Sequence, residues 1–177
     1  EAARIEHHTG RPLTDEWMSA FYARRNAALE AQLTAIDHIH GAVERVHAHH
    51  DGRIACASGA DRFKVELQLA KVALMPYFEG RIFSGHEMPR SKPAPDVYLA
   101  AAKAVGVHPI RCAVVEDTVT GVMAGVAAGC TVFGYAPPHL QTTEHAALLA
   151  AGASHIFTDM LHLPSLLSQK MAQSTFG

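Results

Sequence analysis

Residues 112–125 read CAVVEDTVTGVMAG, and this stretch decides the predicted fold. An apolar run as long as a short strand ends on two adjacent acids, Glu116 and Asp117. A pattern typical of a helix follows, and Gly129 is expected to end that helix. Gly121 and Gly125, four residues apart, share one face of this helix and predict that it packs closely on the sheet. A strand that is apolar throughout and leads directly into a helix is typical of a parallel sheet covered by helices on both faces.

The same alternation of strand and helix patterns extends to both sides of this stretch. Strands are predicted at 53–57, 81–83, 111–115, 131–135 and 155–157. Helices are predicted at 14–34, 37–50, 60–74, 93–106, 118–128 and 142–151, with a last one beginning near Leu163. The sequence therefore predicts an α/β fold, a parallel sheet flanked by helices, over residues 36–177. Residues 1–35 are helical only and are interpreted as part of a separate small helical element.

Composition and charge exclude several classes of function. The chain has 177 residues, of which 49% are hydrophobic, and a net charge of −2, so a basic nucleic-acid-binding surface is not expected. We expect no membrane span, because no run approaches the roughly 18 apolar residues that one needs. Three widely spaced cysteines favour free thiols in a reducing compartment, hence a cytoplasmic protein, and no pattern suggests an obligate interface, so we expect a monomer. The chain begins at Glu1 within a polar, helix-like phrase, which suggests that its beginning is missing.

Two candidate anion-binding positions follow predicted strands or precede helices. Ser58 and Gly59 come directly after the first predicted strand, where a hydroxyl and backbone N–H groups at the start of a helix favour an anion. The structural alternative is that Ser58 caps the helix, with Asp61 at the third helical position. Lys92 stands immediately before Pro93 and a helix, where its ammonium could face an anion or remain an ordinary surface charge.

The adjacent acids Glu116 and Asp117 are the strongest local signal. Two neighbouring carboxylates disfavour double ionisation, and a hard cation such as Mg²⁺ removes that penalty. The alternative is that Asp117 caps the next helix while Glu116 is solvated. In open parallel sheets, ligands bind beyond the carboxyl ends of the strands, which is where these acids lie.

Three of these signals occur in one order: Ser58 in ACASGAD, Lys92 in RSKPAPDVYLAAAKAVG, and Glu116–Asp117 in VVEDTVTGVMAGVAAG. This set resembles the haloacid dehalogenase-like hydrolase superfamily, and within it the group of β-phosphoglucomutase and 6-phosphogluconate phosphatase. The resemblance covers residues 36 to about 168 and implies a Rossmann-like core with a partial helical cap, of which residues 1–35 would be the remainder.

The resemblance also implies a role for each of these positions. Ser58, with the Gly59 amide, would bind the transferring phosphoryl group, and Lys92 would neutralise charge on its oxygens. Asp117 would bind Mg²⁺, with Glu116 as a second ligand or an outer-shell partner.

One departure from the family pattern is large. The family's first strand ends in Asp-x-Asp, of which the first aspartate is the nucleophile, and no Asp-x-Asp occurs in this sequence. The resemblance places that strand between those predicted at 53–57 and 111–115. Without it, this polypeptide is not expected to turn over by the family's covalent route.

The function expected from the resemblance is a Mg²⁺-dependent phosphatase acting on small phosphorylated metabolites, such as sugar or sugar-acid phosphates. One alternative is a phosphomutase of the β-phosphoglucomutase type. Another, from a different class, is a non-catalytic domain that binds a phosphorylated metabolite. An Asp-x-Asp strand preceding Glu1 would distinguish the enzyme from the binding domain.

Overall fold

The computed structural model describes residue 10, residues 13–138 and residues 145–173, with side chains described as far as residue 169. The chain divides into two compact units, Glu1–Thr34 and Ala35–Gly177. Within the described residues, no helix is long and apolar enough to cross a membrane.

The first unit contains one described helix, α1, Asp15–Gln32. Its start is set by Thr14, whose hydroxyl accepts a hydrogen bond from the Trp17 amide at 3.2 Å. None of its residues is buried. The rings of Trp17 and Phe21 stack with centroids 5.5 Å apart, so the apolar positions of α1 contact one another on an open face.

The second unit alternates helices and strands along the chain. Its helices are α2 (Ile39–His49), α3 (Arg62–Lys71), α4 (Met75–Phe78), α5 (Asp96–Ala104), α6 (Val119–Ala127), α7 (His145–Ala150) and α8 (Leu163–Gln173). Its strands are β1 (Cys56–Ser58), β2 (Ile82–Ser84), β3 (Ala113–Glu116), β4 (Thr131–Tyr135) and β5 (His155–Phe157). This confirms the predicted α/β class. The predicted strands 131–135 and 155–157 match, and part of the helix predicted at 142–151 lies outside the described residues.

The strands form two parallel sheets. Strand β1 pairs with β2, so that Ser58 lies opposite Ser84. Strand β4 lies between β3 and β5, with Glu116 of β3 opposite Gly134. Within the described residues no pairing joins β1 to β3, which is the place where the family resemblance puts an additional strand.

Helices cover both faces of the three-stranded sheet, but unevenly. One face carries a core formed with α5, α6 and α7: Val97, Tyr98, Val114, Val122, Ala124, Ala128, Val132, Ala136, Leu148 and Ala153. The other face carries a core formed with α2 and α8: Ala42, Phe133, Tyr135, Phe157, Met160, Leu163 and Leu167. On β3 this second face is open, since Val115 is 37% exposed. The expectation of a sheet covered on both faces therefore holds for β4 and not for β3.

Two sequence expectations on the first strand and its helix are wrong. The strand predicted at 53–57 begins at Cys56, because the Arg53 and Ile54 amides bond to the His50 and Gly52 carbonyls in a turn. Helix α3 begins after Asp61, whose carboxylate accepts from the Lys64 amide at 2.9 Å. Asp61 is therefore the N-cap, and Ser58 is not.

Two glycines of α6 allow the helix to approach the sheet, as predicted. A Cβ at Gly125 would lie 2.7 Å from Val132 Cγ2 and 3.3 Å from Val114 Cγ1. A Cβ at Gly121 would overlap the carboxylate of Glu116. The helix therefore packs on β3 and β4 at a distance that only glycine permits at these two positions.

We predict that Gly125→Ala destabilises the protein by about 1–3 kcal/mol, because the new methyl group must displace valines that are themselves packed in the core. Gly41→Ala in α2 is the matched control, since a Cβ there meets nothing within 4 Å. That control should gain roughly 0.5–1 kcal/mol from helix propensity. The measurement is the free energy of unfolding in denaturant, and equal effects of the two substitutions would contradict the packing described here.

Candidate active site

Lys92 joins the ends of the two sheets. It lies in the loop between β2 and α5, and its side chain is 11% exposed. Its ammonium donates to the Ala57 carbonyl of β1 at 3.2 Å and forms an ion pair with Glu116 Oε1 at the end of β3. Since a lysine ammonium has three donors, these two partners leave one N–H for a further acceptor.

Glu116 is a buried carboxylate with donors on both of its oxygens. Besides Lys92, the Tyr98 hydroxyl donates to Oε1, and the Thr118 hydroxyl donates to Oε2 at 3.0 Å. Its side chain is 9% exposed. The solvated state that the sequence left open for Glu116 is therefore wrong. Thr118 also caps α6, because its hydroxyl accepts from the Gly121 amide at 3.1 Å.

Asp117, the next residue, lies on the surface. Partial burial of its carboxyl, with the charge of Glu116 beside it, raises the pKa of Asp117 above its ordinary value. Thr118 takes the capping position, so the capping role considered for Asp117 is wrong. Glu116 is the last residue of β3 and is buried, whereas Asp117 lies in the bend after the strand and is exposed, which separates the two acids although they are adjacent in sequence.

Ser58 and Gly59 form a turn directly after β1. The Ala60 amide donates to Ser58 Oγ at 3.1 Å, so this amide is not available to a ligand. The turn is anchored by Ser84, which is fully buried and donates to the Ala60 carbonyl at 2.7 Å. A Cβ at Gly85 would lie 3.4 Å from Gly59 Cα and 3.8 Å from Ser91 Cβ, which places the turn beside the Lys92 loop.

The structure therefore brings the predicted residues together at one end of the two sheets. Lys92 contacts the Ala57 carbonyl, which directly precedes Ser58 and Gly59. It also contacts the Glu116 carboxylate, which directly precedes Asp117. Three participants were not identified from the sequence: Tyr98, Ser84 and Thr118. The position of Tyr98 on the buried stripe of α5 was the available signal, because a buried phenol hydroxyl usually requires a partner.

Two carboxylates at this end of the sheets are candidate ligands for a metal ion. Glu116 and Asp117 offer carboxylate oxygens, which suit a hard cation such as Mg²⁺. Within the part of the chain that the structure describes, no group of three or more His, Cys, Asp or Glu side chains could hold a metal ion. Glu116 already accepts from Lys92, Tyr98 and Thr118, so the exposed Asp117 carboxylate is the one that fits a Mg²⁺ taking its other ligands from phosphate and water.

A separate cavity of about 540 Å³ lies between α2 and α8 and contains none of the predicted site residues. Its polar lining comes from Arg45, His49, His50, Ser165 and Ser168. It opens widely to solvent, and Lys92 is not among its lining residues.

Comparison with known proteins assigns the chain to a family. A model of haloacid dehalogenase-like hydrolases matches residues 1–129. The chain is 34% identical over 104 residues to 6-phosphogluconate phosphatase of Escherichia coli (strain K12), covering 58% of this chain and 44% of that protein. It is 34% identical over 158 residues to the bifunctional riboflavin kinase/FMN phosphatase of Arabidopsis thaliana, covering 84% of this chain and 38% of that protein.

A solved structure shows the same similarity in three dimensions. A HAD family hydrolase from Deinococcus radiodurans R1, with bound phosphate and sodium, superposes with a TM-score of 0.73 at 31% identity. The alignment covers 95% of this chain and 73% of that one. The chain spans less than half the length of the two curated relatives. The family model and the structural similarity agree, and the chain belongs to the family of haloacid dehalogenase-like hydrolases.

Proposed function

We propose that the protein containing this chain is a Mg²⁺-dependent phosphatase that hydrolyses phosphate monoesters of small metabolites, with sugar or sugar-acid phosphates as substrates. The observation that carries the proposal is the position of Lys92. Its ammonium contacts the end of β1, where the Ser58 turn begins, and the end of β3, where the two acids lie. One buried cation thus links an anion-binding turn to a candidate metal site.

Each residue is assigned a role that its contacts permit. The Ser58 hydroxyl, with the Gly59 amide, binds phosphoryl oxygens at the carboxyl end of β1. Lys92 directs its remaining N–H at another phosphoryl oxygen and offsets the negative charge that grows in the transition state. Phosphoryl transfer depends mainly on positioning and charge stabilisation, and these groups provide both.

For the metal we assign Asp117 as the direct protein ligand and Glu116 as its outer-shell partner. Glu116 already accepts from Lys92, Tyr98 and Thr118, whereas Asp117 lies on the surface beside it. When bound, Mg²⁺ supplies positive charge to phosphoryl oxygens. It would also relieve the repulsion between the two acids that contributes to the raised pKa of Asp117.

The substrate class rests on the relatives. One of them is named for the hydrolysis of 6-phosphogluconate and another for that of FMN, and both compounds are phosphate monoesters. We assign residues 1–35 to the remainder of a cap, in which exposed Trp17 and Tyr22 would pack against further cap residues. The free state of Cys56, Cys112 and Cys130 supports a reducing, cytoplasmic location.

A second candidate, a non-catalytic domain that binds a phosphorylated metabolite, is favoured by one observation. The 177 residues contain no Asp-x-Asp, the motif that bears the family's nucleophile. Such a domain would keep the Ser58 turn and Lys92 and would bind phosphate without releasing it from an ester.

We predict that the full-length protein releases phosphate from sugar and sugar-acid phosphates and that Mg²⁺ is required. The measurement is phosphate release across a panel of such esters, with Mg²⁺ and with EDTA. The release of free phosphate, rather than an isomeric sugar phosphate, separates the phosphatase from a phosphomutase. Phosphate binding without turnover would select the non-catalytic alternative, and activity unaffected by EDTA would contradict the metal assignment.

We predict that Lys92→Met abolishes activity and costs about 3–5 kcal/mol of stability, because it leaves the Glu116 carboxylate buried without its cation. The double variant Lys92→Met/Glu116→Gln removes both charges and should recover most of that stability while remaining inactive. Urea unfolding and phosphate release are measured on both. The control is Lys103→Met, an exposed lysine at the end of α5. A double variant no more stable than Lys92→Met alone would refute the ion pair.

We predict that Asp117→Ala abolishes activity together with Mg²⁺ binding, because the direct ligand is lost. Mg²⁺ binding is measured by calorimetry, and phosphate release by a colorimetric assay over a range of Mg²⁺ concentrations. Asp51→Ala at an exposed turn is the charge-matched control and should bind Mg²⁺ as the wild type does. Unchanged turnover in Asp117→Ala would reject the assignment.

A further inference from the structure

Tyr98 occupies an unusual position on α5. Together with Val97, Ala101 and Ala102 it forms the buried stripe of the helix, and it is 7% exposed. Its ring lies in the core against the three-stranded sheet, and its hydroxyl donates to Glu116 Oε1. Burial and the negative charge of Glu116 raise the pKa of Tyr98 far above its ordinary value, so the hydroxyl remains a donor.

The same side chain also contacts Lys92. The ammonium of Lys92 lies 4.7 Å from the centroid of the Tyr98 ring, a cation–π distance. The tyrosine therefore contacts the cation with its ring face and the anion with its hydroxyl. Both ends of the ion pair are fixed by one residue of a regular helix, which is a more rigid support than the loop that bears Lys92.

We propose that Tyr98 is a positioning residue that holds the Lys92 ammonium and the Glu116 carboxylate in the geometry needed for phosphoryl binding. The inference rests on the proposed function, because Lys92 and Glu116 receive their roles there. It adds that the hydroxyl of Tyr98 fixes where the pair lies. A purely structural tyrosine would fill the core with its ring, and loss of its hydroxyl would leave Lys92 in place.

The test uses Tyr98→Phe in the full-length protein, because this change removes the hydroxyl and keeps the ring. Lysines are labelled with ¹³C at Cε, and the Lys92 signal is identified by its absence in Lys92→Arg. In the wild type, the ring current should displace the Lys92 Hε signals from those of exposed lysines. Tyr77→Phe is the control, since Tyr77 lies in α4 and contacts His47, away from the site.

In Tyr98→Phe we expect the Lys92 signals to move towards those of exposed lysines. We also expect kcat to fall about 10- to 100-fold, which corresponds to the loss of a hydrogen bond to a charged group. KM should change far less. Tyr77→Phe should change neither. Unchanged Lys92 signals in Tyr98→Phe, or a kcat within about twofold of wild type, would overturn the inference.

The spectrum remains decisive if other parts of the experiment fail. If the wild-type protein shows no phosphatase activity, the proposed function fails, while the Lys92 signals still report whether Tyr98 holds the ammonium. If Tyr98→Phe does not fold, the wild-type spectrum decides. Lys92 signals at the positions of exposed lysines would show that the ammonium does not lie over the ring, and would overturn the inference.

Discussion

The ion pair between Lys92 and Glu116 is the interaction on which the site depends. Both side chains are nearly buried, and isolated charges in such a place would cost several kcal/mol each. The pair is tolerated because the cation also donates to the Ala57 carbonyl and the anion also accepts from the hydroxyls of Tyr98 and Thr118. It also spans the break between the two sheets, since Lys92 contacts β1 and Glu116 ends β3. Breaking this ion pair would therefore disturb both the packing of the two sheets and the geometry of the site.

This arrangement explains why a buried strand can end on two adjacent acids. Glu116, the last residue of β3, is buried against α5 and α6, where it meets its donors, and Asp117 lies at the surface in the bend that follows the strand. In the proposed function the two carboxylates have different roles: Glu116 positions the lysine, and Asp117 binds the cation. Burial and the neighbouring charge of Glu116 raise the pKa of Asp117 above its ordinary value. In the proposed function, a divalent ion at Asp117 would offset this repulsion.

Most of the fold could be predicted from the sequence, and the failures have local causes. The strands 131–135 and 155–157 and the start of the last helix at Leu163 were found because apolar runs are bounded there by turn residues. The N-cap of α3 was misplaced because Ser58 and Asp61 are both good caps, and the pairing of Ser58 with Ser84 decides between them. Pairing of that kind joins residues far apart in sequence. The phenol of Tyr98 was missed for the same reason, since its partner lies 18 residues further along the chain.

Gly121 shows how a packing signal and a functional signal can share one residue. The spacing of Gly121 and Gly125 predicted close packing of a helix on a sheet, and for Gly125 the neighbours are indeed valines of β3 and β4. For Gly121 the neighbour is the Glu116 carboxylate, which occupies the space that a Cβ would fill. The missing side chain of Gly121 therefore leaves room for the Glu116 carboxylate between α6 and β3. Thr118, three residues before Gly121, donates a hydrogen bond to this carboxylate. A sequence pattern that specifies only close approach thus also fixes where the buried charge can lie.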